Sequence, residues 1–205
     1  MANIPVPQSK ANKIIVALNE MGRSGQTDEL KLARWKREAG QMKQSGQVSP
    51  AFIILGMIAC LEGDMEQLRA HHLNAIRHAP DSIDAVRNYA VSLKKSGLLQ
   101  ESLEYFKRAH QLDQSNKHCL NDVIKSLYYL AVGDDQYEEE METYARSWKQ
   151  LTGENHPLYD DPEDLAAMFD AFDEQIKNHP EMLVDPGQEF WDSVEKLVEG
   201  VDIGK

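Results

Sequence analysis

Apolar side chains recur every three or four residues along most of this chain, and no convincing run alternates between apolar and polar positions. A spacing of three and four places the apolar residues on one face of an α-helix, whereas a half-buried strand needs a spacing of two. The pattern therefore predicts an all-α fold. The predicted helices cover about 8–21, 28–43, 49–62, a stretch from just after Gly63 to about 79, 83–96, 99–112, 117–131, 136–151, 162–178 and 186–199.

Residues with strong turn and cap preferences lie between these helices. Ser49-Pro50 is a favourable helix start, because Ser accepts a hydrogen bond from an unpaired amide and Pro tolerates the first helical turn. Gly63 and Gly97 suit the left-handed turn that ends a helix. Asp161-Pro162 and Asp185-Pro186 repeat the start signature, and they predict the two terminal helices.

A fixed step of 34 residues relates two consecutive segments of the chain. It carries Gly63 onto Gly97, Ala75 onto Ala109, and Gly56 onto Ala90. A period of this length is typical of arrays in which one helix-turn-helix unit stacks on the next. Such arrays usually form a surface that holds another molecule.

The two units resemble those of tetratricopeptide repeat proteins. The family's repeat pattern prefers a large or a small residue, or proline, at certain positions. Unit 49–82 matches it at Phe52, Leu55, Gly56, Ala75 and Pro80, and unit 83–116 matches it at Ala90, Ser102, Phe106 and Ala109. The first unit departs from the pattern at Ala59, Leu68 and His72, and the second at Val86, Tyr89 and Gln114. The resemblance implies an α-solenoid with extra N- and C-terminal helices. It divides the chain into an N-terminal helical pair at 1–48, which is a degenerate repeat or a cap, an array at 49–154 with a degenerate third unit at 117–154, and an acidic helical segment at 155–205.

In this family, the first helix of each repeat lines a concave face that binds a protein or peptide. Transfer of the inward positions predicts a partner-binding face that is apolar at one end, basic in the middle and aromatic at the other: Ile53, Met57, Arg87, Asn88, Val91, Lys94, Lys95, Asn121, Lys125, Tyr128 and Tyr129. Such a face suits a peptide with apolar anchors and acidic groups. The alternative is that the apolar and aromatic members pack in the core and the cations are a solvated surface.

One variant of the family clamps the C-terminal carboxylate of chaperone tails with a set of Lys, Arg and Asn side chains. Only Asn88 matches that set here, because Ile53, Met57, His118 and Asp122 occupy the other places. We therefore expect no binding of chaperone tails.

The net charge of −12 is spread unevenly along the chain. Residues 1–50 carry a net +4, residues 51–134 carry −1 and residues 135–205 carry −15, as counted along the sequence. Three interpretations of the acidic residues 135–205 are open. They form a solvated helical surface, they fold back on the basic groove or on the N-terminal segment, or they bind a basic partner. The overall acidity argues against nucleic acid, for which the basic helix at 28–43 is the candidate.

The residue types that commonly catalyse reactions or bind metals form no recognisable motif in this sequence. None of the seven histidines lies in an HExxH motif, no Cys/His set has zinc spacing, and no phosphate-binding loop occurs. We therefore expect no catalytic residues, no metal and no cofactor. Two cysteines in separate repeats, no apolar signal segment and no long apolar run predict a cytoplasmic protein that does not enter a membrane.

Three hypotheses about function follow from these patterns. The first is a non-enzymatic adaptor or chaperone-like module that binds a protein or peptide, with a homo-oligomer also allowed. The second is an acidic inhibitor, such as an immunity protein or antitoxin, that occludes a basic effector through 160–195. The third is an enzyme whose site the sequence does not reveal.

Overall fold

The computed structural model of the protein describes residues 9–131 and 135–159. Within these two stretches all regular structure is helical and no strand occurs, which confirms the predicted fold class. The helices are α1 (Lys10–Ser24), α2 (Glu29–Gln44), α3 (Val48–Glu62), α4 (Met65–His78), α5 (Ile83–Lys95), α6 (Leu99–Leu112), α7 (Lys117–Ala131) and α8 (Glu138–Thr152), with short 3-10 helices at Asp135–Tyr137 and Pro157–Tyr159. The helices predicted at 162–178 and 186–199 lie outside the described residues.

Side-chain caps explain where several of these helices begin. The side chains of Ser9, Asp28, Asp64 and Ser82 each accept a hydrogen bond from the backbone N–H three residues later. Each cap pairs one of the amides that the first helical turn leaves unbonded. The four caps fix the starts of α1, α2, α4 and α5.

The predicted start of α3 at Ser49-Pro50 is wrong by one residue. The helix begins at Val48, and Gln47, which precedes it, makes no capping hydrogen bond through its side chain. Pro50 is then the third helical residue. It is tolerated there because the first turn of a helix has no use for its amide hydrogen.

Gly63 and Gly97, which are one repeat apart, take the same backbone conformation. Their φ angles are +72° and +85°, in the left-handed region that side chains disfavour. Each glycine reverses the chain between the two helices of a pair, α3 with α4 and α5 with α6. The period of 34 residues therefore repeats a turn geometry as well as a residue type.

The helices stack in chain order as an α-solenoid-like array. α3 packs on α4, α5 on α6 and α7 on α8, while α2, α4 and α6 each pack on the first helix of the following pair. α1 lies against α3, as α3 lies against α5. One continuous apolar core runs from Ala11 in α1 to Leu127 in α7, so the N-terminal pair shares its core with the repeats.

A close helix crossing inside the first pair places His72 of α4 against Gly56 of α3. A Cβ added at Gly56 would lie 2.5 Å from Cδ2 of His72, which is closer than a Cβ atom approaches a neighbouring atom in a packed protein. The imidazole is fully buried, and its Nε2 lies 2.9 Å from Oγ of Ser92. One period later, the equivalent positions hold Ala90 and Phe106. The departure of His72 from the repeat pattern is thus matched by the loss of a side chain at position 56.

A buried carboxylate joins the first and second pairs. Glu101 of α6 is 1% exposed, and both of its oxygens accept hydrogen bonds from the guanidinium of Arg69 in α4. Tyr89 of α5 donates a further hydrogen bond to Glu101 at 3.2 Å. A buried charge is tolerated only when it is paired in this way, so these three residues fix how the two pairs dock.

Candidate polypeptide-binding surface

The apolar end of the predicted binding face is not a surface. Ile53 and Met57 are only 3% and 5% exposed, so the expectation that they contact a partner is wrong. α1 packs against α3 and contributes Ile14 and Leu18 to the core that contains both residues. The first helix of the chain therefore takes the place that a bound peptide would need.

Tyr128, at the aromatic end, is also buried, with 8% of its surface exposed. It belongs to a small apolar cluster with Leu120 and Ile124 of α7 and with Leu158, which follows α8. The chain thus returns to α7 after α8, where Leu158 joins the cluster that contains the tyrosine. The expectation that Tyr128 lies on an open face is therefore wrong.

The remaining predicted residues on α5 and α7 face one another across a shared surface, which we call the α5–α7 surface: Arg87, Asn88, Val91 and Lys94 on α5, and Asp122, Lys125 and Tyr129 on α7. Two contacts bridge the helices. Arg87 forms an ion pair with Asp122, and the ammonium of Lys94 lies 4.3 Å from the centroid of the Tyr129 ring. These contacts place side chains from the second and third units side by side.

The charge of Arg87 is already satisfied. Burial opposes its charged form, but the hydrogen bond and charge of Asp122 outweigh burial and raise the pKa of Arg87. The guanidinium and carboxylate therefore cancel within the α5–α7 surface, and this pair leaves no net charge for a partner.

Lys94 and Lys125 are different. Neither forms an ion pair with a carboxylate in the stretches 9–131 and 135–159. Burial lowers the pKa of Lys94 to about 8, and the charge of Lys125 lowers it further, while Asp122 acts in the opposite direction. Lys94 and Lys125 thus repel each other, although the charge of Asp122, which is already paired with Arg87, has a larger effect on Lys94 than the charge of Lys125 has.

Val91 and Asn88 complete the α5 side of this surface. Val91 is half-buried and packs against the core, and the side-chain amide of Asn88 donates to the carbonyl of Asp84 in its own helix. Asn88 therefore spends a donor within α5, which gives a structural reason to expect no carboxylate clamp at this position.

Lys95 belongs to another part of the molecule. Its ammonium lies 3.4 Å from Oδ1 of Asn19, and the side chain passes over Gly22 in α1. Burial lowers the pKa of Lys95, with a smaller contribution from the charge of Arg23 that Cys60 opposes. The structure thus separates Lys95 from Lys94, its neighbour in sequence, and directs it toward α1.

Asn121 joins α7 to the residues after α8. Its Oδ1 lies 3.0 Å from Nε2 of His156, and Nδ1 of His156 accepts a hydrogen bond from the backbone N–H of Leu158 at 3.3 Å. With Nδ1 as an acceptor, the ring is neutral and Nε2 is the donor. Burial and the charge of Lys125 lower the pKa of His156 to about 4, which preserves this neutral form.

The described surface includes an open depression near Asn121 and another at the N-terminal end of the array. One, of about 620 Å³, lies between α7 and α8 and is lined by His118, Asn121, Trp148 and Leu151 among others. The other, of about 810 Å³, lies between α1 and α2 beside Trp35. Across the described part of the chain, no three His, Cys, Asp or Glu side chains converge as a metal site would require.

Two of the functional hypotheses stay predictions. The acidic-inhibitor hypothesis depends on 160–195, which lie outside the described residues, and nothing in the geometry tests the enzyme hypothesis. None of the described helices combines the length and apolar character that crossing a bilayer requires.

The sequence reasoning missed the Arg69–Glu101 pair and the contact between His156 and Asn121.

Comparison with known proteins adds no family to this geometry: no protein-family model matches the sequence, and no curated protein is significantly similar to it.

Proposed function

We propose that this chain is a non-enzymatic, tetratricopeptide-like module that binds a polypeptide partner through the α5–α7 surface. The partner presents acidic groups beside apolar or aromatic side chains. The repeated helix pairs and their matched glycine turns support the relation to tetratricopeptide repeats, and a binding role follows from the surface itself.

The observation that carries the proposal is that Lys94 and Lys125 form no ion pair with any carboxylate of the described residues. Lys94 is partly desolvated, and Lys125 is close enough to lower its pKa. A carboxylate from a partner would relieve the repulsion and favour the charged form of Lys94. Charge-assisted hydrogen bonds of this kind are stronger than neutral ones, especially where water is partly excluded.

Tyr129 and Val91 supply the apolar part of the surface. The tyrosine ring already lies under the ammonium of Lys94, so a partner that covers it also desolvates the lysine. Tyrosine offers a large contact area with few rotatable bonds, which keeps the entropic cost of binding low. The surface therefore favours a segment with acidic and apolar residues close together over one that is merely acidic.

Fluorescence anisotropy with a labelled, short synthetic peptide of alternating Glu and Phe residues tests this proposal on the full chain. We expect micromolar binding that weakens with added salt, since exposed charges are screened. Lys94→Gln and Lys125→Gln should each weaken binding about tenfold, which corresponds to about 1.4 kcal/mol. The control is Lys13→Gln, an exposed lysine of α1 whose loss changes the net charge by the same amount.

A second control replaces every Glu of the peptide with Gln. If the Gln peptide binds as tightly as the Glu peptide, or if both lysine variants bind like Lys13→Gln, the proposed function is wrong.

A further inference from the structure

The chain leaves the described region beside the α5–α7 surface. After α8 it returns to α7, where His156 contacts Asn121 and Leu158 is buried among the apolar residues of α7. Lys125 is near enough to lower the pKa of His156. Residue 160 therefore follows a segment anchored on the same helix that carries Lys125 and Tyr129.

The residues that follow have the composition that this surface suits. Positions 160–205 hold fourteen Asp and Glu and three Lys, a net charge of −11. The first stretch, 160–174, reads DDPEDLAAMFDAFDE and holds seven of those acids and no base. Its apolar residues recur at helical spacing between the acids: Leu165, Met168, Phe169 and Phe172.

We propose that 160–174 of the same chain occupies the α5–α7 surface, with its carboxylates on Lys125 and Lys94 and its apolar residues over Tyr129. The inference rests on the proposed function, because it assigns an occupant to the same surface. It also gives that surface a regulatory element, since an external partner must displace the segment before it can bind.

Geometry and charge favour the chain's own segment over other occupants. Asn121 and Tyr129 are eight residues apart on α7, about 12 Å along the helix axis. Fifteen residues span about 22 Å as a helix and about 50 Å when extended, so 160–174 can reach both lysines. Covalent attachment next to the surface gives an effective concentration on the order of millimolar, which makes even a weak contact populated.

Zero-length carbodiimide cross-linking of the full chain tests the proposal, because it joins a lysine amine to a carboxylate only when the two are in contact. We expect links from Lys94 and Lys125 to acids within 160–174, with a yield that falls at high salt. The exposed Lys13 should give no such links. A mixture of ¹⁴N- and ¹⁵N-labelled protein separates intramolecular links, which carry one isotope, from links between two copies.

A competition measurement supplies a second test. Neutralising the first four acids of the segment should tighten binding of the Glu/Phe peptide by about tenfold, because the competing occupant is weakened: Asp160→Asn, Asp161→Asn, Glu163→Gln and Asp164→Asn. The matched control makes the same charge change farther along the chain and should leave the affinity unchanged: Asp185→Asn, Glu189→Gln, Asp192→Asn and Glu195→Gln.

The possible results separate this inference from the proposed function. Single-isotope links to 160–174 support it, even if no external peptide binds and the proposed function fails. Peptide binding without these links overturns it and leaves the proposed function standing. Mixed-isotope links alone overturn it as well, since they make a second copy the occupant.

Discussion

Replacement of Gly56 by alanine tests the tightest helix crossing in the molecule. The new Cβ would lie 2.5 Å from Cδ2 and 2.6 Å from Nε2 of His72. The imidazole has nowhere to move, because it is fully buried, stacks on Tyr89 at a centroid distance of 5.2 Å and contacts Ser92. The substitution must therefore separate α3 from α4 or expel the ring from its site.

Three contributions set the expected size of the effect. Overpacking a filled core costs about 1–3 kcal/mol. Loss of the contact between His72 and Ser92 costs about 1 kcal/mol more. Alanine in place of glycine within a helix returns about 1 kcal/mol. The sum predicts that Gly56→Ala lowers the free energy of unfolding by about 1–3 kcal/mol.

Gly40 in α2 provides the matched control, because a Cβ added there meets no atom within 4 Å. Gly40→Ala should keep only the helix-propensity gain and stabilise the protein by up to about 1 kcal/mol. Urea unfolding followed by circular dichroism at a helical band gives both values. At a slope of about 2 kcal/mol per molar urea, a loss of 2 kcal/mol moves the midpoint down by about 1 M. If Gly56→Ala proves as stable as Gly40→Ala, the crossing of α3 and α4 is not as described.

Two further perturbations probe buried groups. Acidification should destabilise the fold, because burial, with a smaller effect of the His71 charge, lowers the pKa of His72 to about 3, whereas the unfolded chain takes up this proton near pH 6.5. The contribution of His72 to the free energy of unfolding is thus complete above pH 6.5 and falls below it, by about 2 kcal/mol at pH 5. His72→Phe should remove this pH-dependent loss, as measured by urea titrations at several pH values. An equally steep fall in the stability of the variant would contradict the assignment. Glu101→Ala should cost about 3 kcal/mol in the same unfolding assay, since it removes the buried carboxylate that binds both Arg69 and Tyr89. Glu104→Ala on the same helix removes only one of the two carboxylates that pair with Lys107 and should cost under about 1 kcal/mol. Equal losses from the two glutamates would refute the role assigned to the buried pair.

The helix boundaries could be predicted closely because they depend on local chemistry. The predicted helices at 99–112 and 117–131 coincide with α6 and α7, and that at 83–96 differs from α5 by one residue. Glycine turns and side-chain caps act within a few residues, so the sequence carries them directly. The start of α3 also differs from the prediction by one residue, because the helix begins at Val48 without a side-chain cap and the Ser49-Pro50 signature lies inside its first turn.

The accessibility of α3 could not be taken from family positions. Transfer of the repeat pattern placed Ile53 and Met57 on an open face, but α1 covers them. A local signal pointed the same way: the stretch AFIILGMIACL is apolar on every side of the helix, which indicates burial all round. Whether the first helix of a repeat lines a groove depends on whether a preceding helix of the chain packs against it, and the pattern within one repeat does not contain that information.

The pairing of Arg69 with Glu101 could not be predicted from the sequence. Glu101 precedes Tyr105 by one helical turn, and both side chains are buried. The face that Glu101 shares with Tyr105 also carries Arg108, so the sequence neither identifies Glu101 as buried nor says which of several arginines pairs with it. Only the docking of α4 against α5 and α6 brings Arg69 to that carboxylate.

The same limitation applies to the cations of the proposed binding surface, and it changes the functional conclusion. Sequence reasoning treats Arg87, Lys94, Lys95 and Lys125 as four equal members of a basic groove. In the fold, Asp122 neutralises Arg87, and Lys95 turns toward α1. Lys94 and Lys125 are the two of these four that still favour an anion on the α5–α7 surface. If residues 160–174 occupy this smaller basic patch as proposed, a free acidic peptide must compete with them for it, and the affinity measured for such a peptide reports the difference between two occupants.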